Sequence, residues 1–431
     1  MKRQHHMPFG AELSGEGVRF SVWAPTAQRV SLLLEGAEHP MPESDGGWRA
    51  SVVPAARPGQ RYAFRIDDRL IVPDPASRFQ PEDAHGPSMI IDPRAYAWSD
   101  AGWTGRPWEE AVLYELHVGT ATTAGTFAEL QSKLPEIAEL GVTAIELMPL
   151  ADFPGSRNWG YDGVLPFAPD AAYGTPDELK RLIDSAHALR LMVFIDVVYN
   201  HFGPSGNHLP GYAAPFFTDR HLTPWGSAVN FDGAESRPVR DFFIHNALYW
   251  LEEFHADGLR LDAVHAVHDE SGTHILAEIA SSVRQAISGR EVHLVLENDA
   301  NESRWLARDR RGHPQFYTAQ WNDDWHHAWH VLLTGEREGY YEDYSKDAVG
   351  HLGRAASAGF AYQGEPSPHR GGRSRGQPSA HLPPSAFVAF LQNHDQTGNR
   401  AFGERLCHMT GPERLALARA ALLLSPQIPL L

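Results

Sequence analysis

The chain has 431 residues, of which 42% are hydrophobic and 10% aromatic, enough to bury a large core and to exclude global disorder. Its formal net charge of -17 leaves no basic field to hold phosphates, which excludes nucleic acid as a partner and fits a neutral substrate. The single cysteine, Cys407, excludes an intrachain disulfide and a thiolate zinc site, and is expected as an inert, partly buried thiol.

At the N-terminus, Lys2 and Arg3 are followed by Gln4-His5-His6-Met7-Pro8 and no apolar run, which does not read as a secretory signal. No apolar stretch is long enough to span a bilayer, so no membrane partner is expected and the location expected by default is cytoplasmic. Residues 1–98 read as an immunoglobulin-like β-sandwich. Val18–Trp23, Arg29–Leu34, Trp48–Val52 and Arg61–Ile66 are short strand patterns separated by Pro and Gly turns. Its expected role is to pack against the next domain rather than to bind sugar by itself. Residues 99–110, containing Pro107, form the expected linker.

From Ala111 to Leu431 short apolar runs alternate with helical patterns, the signature of a parallel sheet. Strands are expected at Val112–Leu116, Ala144–Leu147, Met192–Val197, Gly258–Leu261, His293–Leu296, Tyr317–Trp321, Phe387–Leu391 and Ile428–Leu431. Eight such units predict a (β/α)8 TIM barrel. Between the first two strands, Phe127, Leu130, Leu134, Ile137 and Leu140 recur at helical spacing, Gly141 ends the run and Pro135 is placed to kink it. A long insertion from Phe202 to about Pro238 and an Arg-rich loop from Gly364 to Pro384 interrupt the pattern; the second is expected to be a solvated, flexible segment. No eighth helix or further domain follows Leu431, so residues 111–431 read as a catalytic barrel truncated at its eighth strand.

In such a barrel the reactive groups lie where the strands end. The fourth strand ends in Arg260-Leu261-Asp262, and the spacing of two puts both side chains on one face. A guanidinium beside a carboxylate holds it ionised and aims it, as a structural ion pair or as an activated nucleophile. The third strand ends near His201, the fifth at Glu297 and the seventh at His394-Asp395. Three carboxylates, Asp262, Glu297 and Asp395, therefore converge on one rim with two histidines and Arg260. Glu297 follows an apolar run, so burial is expected to raise its pKa while Arg260 keeps Asp262 ionised.

The runs DVVYNH, GLRLDAVH, LVLEND and FLQNHD stand in this order on these strands and resemble the α-amylase superfamily of glycoside hydrolases over residues 111–431. The resemblance implies a retaining mechanism, with Asp262 as nucleophile, Glu297 as acid and then base, and Asp395 stabilising the transition state. It also implies that His201, His265 and His394 bind the substrate, that Arg260 orients Asp262, and that Tyr161 stacks beneath the sugar ring; a core aromatic is the alternative for Tyr161. The runs YTAQWNDDWHHAWHVLLTGEREGYY (Tyr317–Tyr341) and PWGSAVNFDG (Pro224–Gly233) resemble the trehalose-releasing members in particular. That implies hydrolysis of the α-1,4 bond next to the terminal trehalose unit of malto-oligosyltrehalose or related α-glucans, with no cofactor. Asn322, Asp323, Asp324, His326 and His327 are expected to bind the trehalose end, and a metal held by the last four is the lesser alternative. A glycogen-branching enzyme and a non-catalytic α-glucan-binding protein on the same fold remain open as other readings.

Overall fold

The structure is a computed structural model describing residues 1–431. In the N-terminal region Val18, Phe20 and Val22 alternate inward and are all but fully buried, which makes Gly17–Trp23 the centre of an antiparallel sheet with Gly10–Ser14 and Trp48–Val53 on either side. A second antiparallel sheet sets Val30–Leu34 between Ala37–Pro40 and Arg61–Ile66, with Leu70–Val72 beyond. The flanking strands Gly10–Ser14, Ala37–Pro40 and Leu70–Val72 were too short or too polar to read from pattern.

This module is not a separate bead. Phe9 packs 5.6 Å from Phe242 and 5.8 Å from Phe167 of the barrel, ring centroid to ring centroid, and one continuous apolar core runs through both regions. Buried Arg78 fastens the junction, donating to Glu12 at 2.8 Å and to Glu253, beyond the helix Ser236–Glu252, at 3.1 Å.

The segment through Asp100 and Trp103 is fixed by charge. Asp100 meets the Nδ1 atoms of His187 at 3.0 Å and of His255 at 2.8 Å, and His187 Nε2 lies 3.0 Å from Asp257, whose other oxygen accepts from Trp103 at 2.7 Å. Both His187 nitrogens face carboxylates, so the ring serves as an imidazolium. Burial opposes that charge, but the Asp257 charge and the bonds to Asp100 and Asp257 outweigh it, and the pKa of His187 is raised. Its stabilising effect is therefore fully present below the ordinary histidine value of about 6.5 and is lost as pH rises through the raised value. His187→Gln is expected to be less stable than the parent by about 3 kcal/mol at pH 6, and to lose less further stability on going to pH 9. Denaturant melts at the two pH values measure this, and equal pH dependence in the two proteins would refute it.

Eight parallel strands close the barrel: Leu113–Leu116, Ala144–Leu147, Met192–Val197, Gly258–Leu261, His293–Leu296, Ala319–Trp321, Phe387–Phe390 and Ile428–Leu430. Each is mainly apolar because both faces are covered, one by the packed interior and one by helices; Glu115, Glu146, Asp196 and Arg260 are the charged exceptions. The eighth strand pairs with the seventh and, through Leu113 and Leu430, with the first, so the sheet closes within the described chain. Gly258 is required by close approach, since a Cβ there would lie 2.2 Å from the Phe194 ring and 2.6 Å from the His293 carbonyl. The helix between the first two strands spans Phe127–Glu139 and starts where the Thr126 side chain accepts from the Glu129 N–H. It buries Phe127, Leu130, Leu134 and Ile137, but Leu140 lies past its last turn and is 67% exposed, contrary to expectation.

Two further expectations are corrected. Cys407 is exposed rather than partly buried. The Gly364–Pro384 loop is not a solvated tether: Arg375 is buried, donating to Tyr344 and pairing with Asp324 and Asp299, and Arg370 also pairs with Asp299. Hydrogen bonds from Gln377 N to the Asn301 carbonyl and from Ser303 to the Pro378 carbonyl tie the same loop to the segment after the fifth strand. The Phe202–Pro238 insertion folds into the hairpin Phe217–Thr223 with Gly226–Val229, and Trp225 near its tip stacks on His201 with ring centroids 4.3 Å apart. No helix is long and apolar enough to cross a membrane.

Candidate active site

Arg260 is fully buried at the C-terminal end of the fourth strand, its guanidinium 4.2 Å from the centroid of the Trp321 ring. The side chain gathers carboxylates from three neighbouring strands. Nη1 donates to Asp196 at 2.7 Å and to Asp262 at 2.9 Å, and Nη2 donates to Glu297 at 2.7 Å. Tyr161 donates its hydroxyl to the same Asp196 oxygen at 2.8 Å. It is positioned by Gly160, whose φ of +102° and approach to the Pro149 carbonyl leave no room for a side chain. Immediately after Asp262, Ala263 adopts φ 39°, ψ 48°, a left-handed conformation that costs energy for any residue with a Cβ. That turn aims the Ala263 N–H at Glu297, 2.9 Å away.

These contacts set the charges. Burial and the Glu297 charge push Asp262 well above the usual carboxylate range, despite Arg260. Glu297 is part-buried, and the Arg260 charge and the Ala263 N–H more than offset its desolvation and hold it low. The expected assignment, with Asp262 low and Glu297 raised, is thus reversed in the unliganded site. The reason is that Arg260 gives one whole arm to Glu297 while Asp262 shares the other with Asp196.

The seventh strand supplies His394 and Asp395. His394 stacks on Tyr161 with centroids 5.1 Å apart and planes 22° apart, and its Nε2 lies 3.6 Å from Asp395. Burial raises the Asp395 pKa against the opposing charge of His394. His201 is buried on the same rim with a lowered pKa caused by burial, so its imidazole is neutral. His265 is exposed beside the Glu297 loop, its Nδ1 3.4 Å from the Asp299 N–H. Asp262, Glu297, Asp395, Tyr161, His201, Arg260, His265 and His394 are therefore brought to one rim.

The sixth strand does not deliver its five expected residues together. Asp323 is part-exposed, accepts no protein hydrogen bond, and has a pKa pushed well up by burial and by the charge of Glu297, which places it at the cleft. The other four are corrected. Asn322 is fully buried and donates to the Gly359 carbonyl at 2.8 Å and to Gln427 at 3.0 Å. Asp324 is fully buried, accepting from Asn301, from the Ala361 and Tyr362 N–H groups and from Tyr344, with Arg375 at 3.1 Å. His326 is fully buried between the Leu391 carbonyl and the Tyr341 hydroxyl. His327 is buried beneath Tyr340, centroids 4.6 Å apart. Asp324→Ala is expected to cost about 3–5 kcal/mol, because buried Arg375 loses its buried carboxylate partner and keeps only part-exposed Asp299. A variant with parental stability but weakened substrate binding would overturn this, and thermal melts beside a KM measurement decide it.

Elsewhere, His221, Asp232 and Glu270 offer ligand atoms within 4.8 Å of one another, but Arg220 already donates to both carboxylates, at 3.0 and 3.2 Å. Pattern alone missed Asp196 and Glu115, although both sit on strands near their C-terminal ends, and it missed Ala263, whose conformation leaves no compositional trace.

A closed parallel barrel whose strand ends converge an aspartate, a glutamate and a second aspartate around one buried arginine, behind an antiparallel module, defines a glycoside hydrolase of the α-amylase class. Family models agree: carbohydrate-binding module 48 (isoamylase N-terminal domain) matches residues 8–84, and the α-amylase catalytic domain matches residues 92–214. The chain is 43% identical to the malto-oligosyltrehalose trehalohydrolase of Saccharolobus solfataricus over 427 residues, covering 99% of this chain and 74% of that protein. It is 44% identical to the enzyme of the same name from Deinococcus radiodurans, covering 97% and 67%. Among solved structures, a Salmonella typhimurium protein described as an α-amylase superposes with a TM-score of 0.96 at 48% identity, covering 98% of this chain and 72% of that one. The chain belongs to the malto-oligosyltrehalose trehalohydrolase family.

Proposed function

We propose that this chain hydrolyses the α-1,4-glucosidic bond next to the terminal trehalose unit of malto-oligosyltrehalose with retention of configuration, releasing trehalose and a shorter malto-oligosaccharide. The observation that carries the chemistry is the Arg260 fork, whose two arms hold Asp262 and Glu297 side by side. A retaining pair works at roughly 5–5.5 Å between carboxyl groups, with no room for the extra water that inversion needs. The substrate class rests on the family relationship.

The reaction requires Glu297 protonated and Asp262 ionised beneath the anomeric carbon, the opposite of what the unliganded site favours, where burial and the Glu297 charge raise Asp262 and Arg260 holds Glu297 low. Asp262 attacks C1 as Glu297 protonates the departing glycosidic oxygen, which leaves as the 4-hydroxyl of the trehalose unit. Glu297, now a carboxylate, then takes a proton from water, which displaces Asp262 and returns the sugar in its original α form. Tyr161 and His394 form the wall on which the glucosyl ring seats, Asp395 and His201 bind its hydroxyls, and Asp323 receives hydroxyls of the leaving trehalose. The N-terminal module serves as packing: Phe20, Tyr62, Phe64 and Trp23 are all buried, and part-exposed Trp48 stacks on Phe9 with ring centroids 6.1 Å apart.

Incubation with malto-oligosyltrehalose, followed by chromatography for trehalose and by NMR of the nascent reducing end, is expected to yield trehalose and the α-anomer first. Transfer to a second glucan chain without free trehalose, or the β-anomer first, would refute the proposal.

A further inference from the structure

We propose that Glu115 is a positioning residue for this reaction, one carboxylate that clasps both the backbone and the ring of His394 and presents that ring as an imidazolium at the seat of the reacting sugar. The inference rests on the reading of Asp262 and Glu297 as the reacting pair. Glu115 lies on the first barrel strand, 279 residues from its partner, and no run of sequence joins the two. Its Oε2 accepts the His394 N–H at 3.0 Å, and its Oε1 lies 2.6 Å from His394 Nδ1. Both side chains are 9% exposed. One carboxylate thus fixes where the seventh strand's loop begins and how its first side chain points.

The other ring nitrogen faces Asp395 at 3.6 Å. With a carboxylate on each side, the ring holds two protons. The remaining charged neighbours are consistent with this. Glu146 of the second strand, the register partner of Glu115, is pushed well up by burial and by the Glu115 charge, so it is neutral and does not compete. Arg260 on the fourth strand opposes the His394 charge, and Glu297 on the fifth feels it; His117, after the first strand, is neutral because burial lowers its pKa. Burial disfavours the imidazolium, but the Glu115 bond and charge prevail, and the His394 pKa is pushed up to about 9. Tyr161 stacks on the ring and Trp159 meets it edge-on at 5.7 Å, so its plane is set from two sides as well. A fixed positive donor beside Asp395 suits a sugar whose hydroxyls must be held while positive charge develops at C1.

Glu115→Gln keeps the shape but removes the charge, and its amide NH2 is turned towards one of two donors. We expect kcat to fall by about 10²-fold with KM altered much less. NMR titration of ring-labelled histidine in the unliganded protein, with His394 assigned by its loss in His394→Gln, is expected to show an imidazolium to about pH 9 in the parent and to near 6.5 in Glu115→Gln. Glu115→Asp, which keeps the charge but shortens the reach, is expected to retain the high titration while still losing kcat. A parent His394 neutral at pH 7, or a His394 titration that does not move in Glu115→Gln, would overturn the proposal. The titration needs no turnover, so it stands apart from any failure of the reaction itself.

Discussion

Asp262→Asn is expected to lower the release of trehalose from malto-oligosyltrehalose by at least about 10⁴-fold, the scale on which enzymes lose turnover when a covalent nucleophile goes. The same substitution is expected to raise the melting temperature. In the unliganded site Asp262 and Glu297 are two buried carboxyl groups competing for one guanidinium, and burial together with Glu297 pushes Asp262 up. A neutral amide of the same shape keeps the Arg260 contact and removes the cost of taking up a proton at neutral pH, which the raised Asp262 must otherwise meet. Strain of this kind is stored where chemistry needs it, and relieving it trades activity for stability. The paired measurement is a calorimetric melt and an overnight product assay on the same preparation. Turnover at the parental rate would remove Asp262 from the mechanism, and a variant both inactive and strongly destabilised would show that Asp262 acts as a structural counter-ion instead.

Arg260→Leu is expected to have the second largest effect, and on both quantities together. Asp196, Asp262 and Glu297 all point at this one guanidinium, so its removal leaves up to three buried carboxylates with no cation. Breaking a buried pair costs about 3–5 kcal/mol, and a shared cation sits at the upper end of that range. The carboxylates respond by taking up protons, so the loss should be partly recovered on lowering the pH, opposite to the ordinary acid sensitivity of a protein. Activity should fall by about 10³-fold or more, because neither the charge nor the direction of Asp262 and Glu297 survives. Arg260→Lys supplies the charge without the fork and should recover stability more than activity, since one ammonium cannot serve oxygens arranged around two nitrogens. Equal recovery of the two would mean that the fork geometry is unimportant.

How far this could be read beforehand depended on how local each feature is. The barrel strands were legible because a parallel strand covered on both faces must be a short, mainly apolar run, and a run such as Phe387–Phe390 has little else to be. The catalytic carboxylates were legible because each ends such a run. The sixth strand shows where that reasoning stops. Asn322, Asp323, Asp324, His326 and His327 look alike as a polar cluster after a strand, yet only Asp323 is part-exposed towards the cleft. Asp324 points inward because Tyr344, Arg375 and the Ala361 and Tyr362 N–H groups, all distant in the chain, converge on it. The Arg-rich loop was misjudged for the same reason: Arg370 and Arg375 find their acids, Asp299 and Asp324, only across the fold.

Sequence by itself determined the eight-stranded barrel, the antiparallel module before it and the strand ends that carry Asp262, Glu297 and Asp395. Each of these follows from a hydrophobic period and a residue's place within it, both of which are local. Tertiary structure alone decided which carboxyl group keeps the proton, which polar side chains reach the cleft, and that Glu115 holds His394. Those outcomes depend on who shares a buried guanidinium or a buried carboxylate. Such a balance is set by several groups within a few ångströms of one another in space and tens to hundreds of residues apart along the chain.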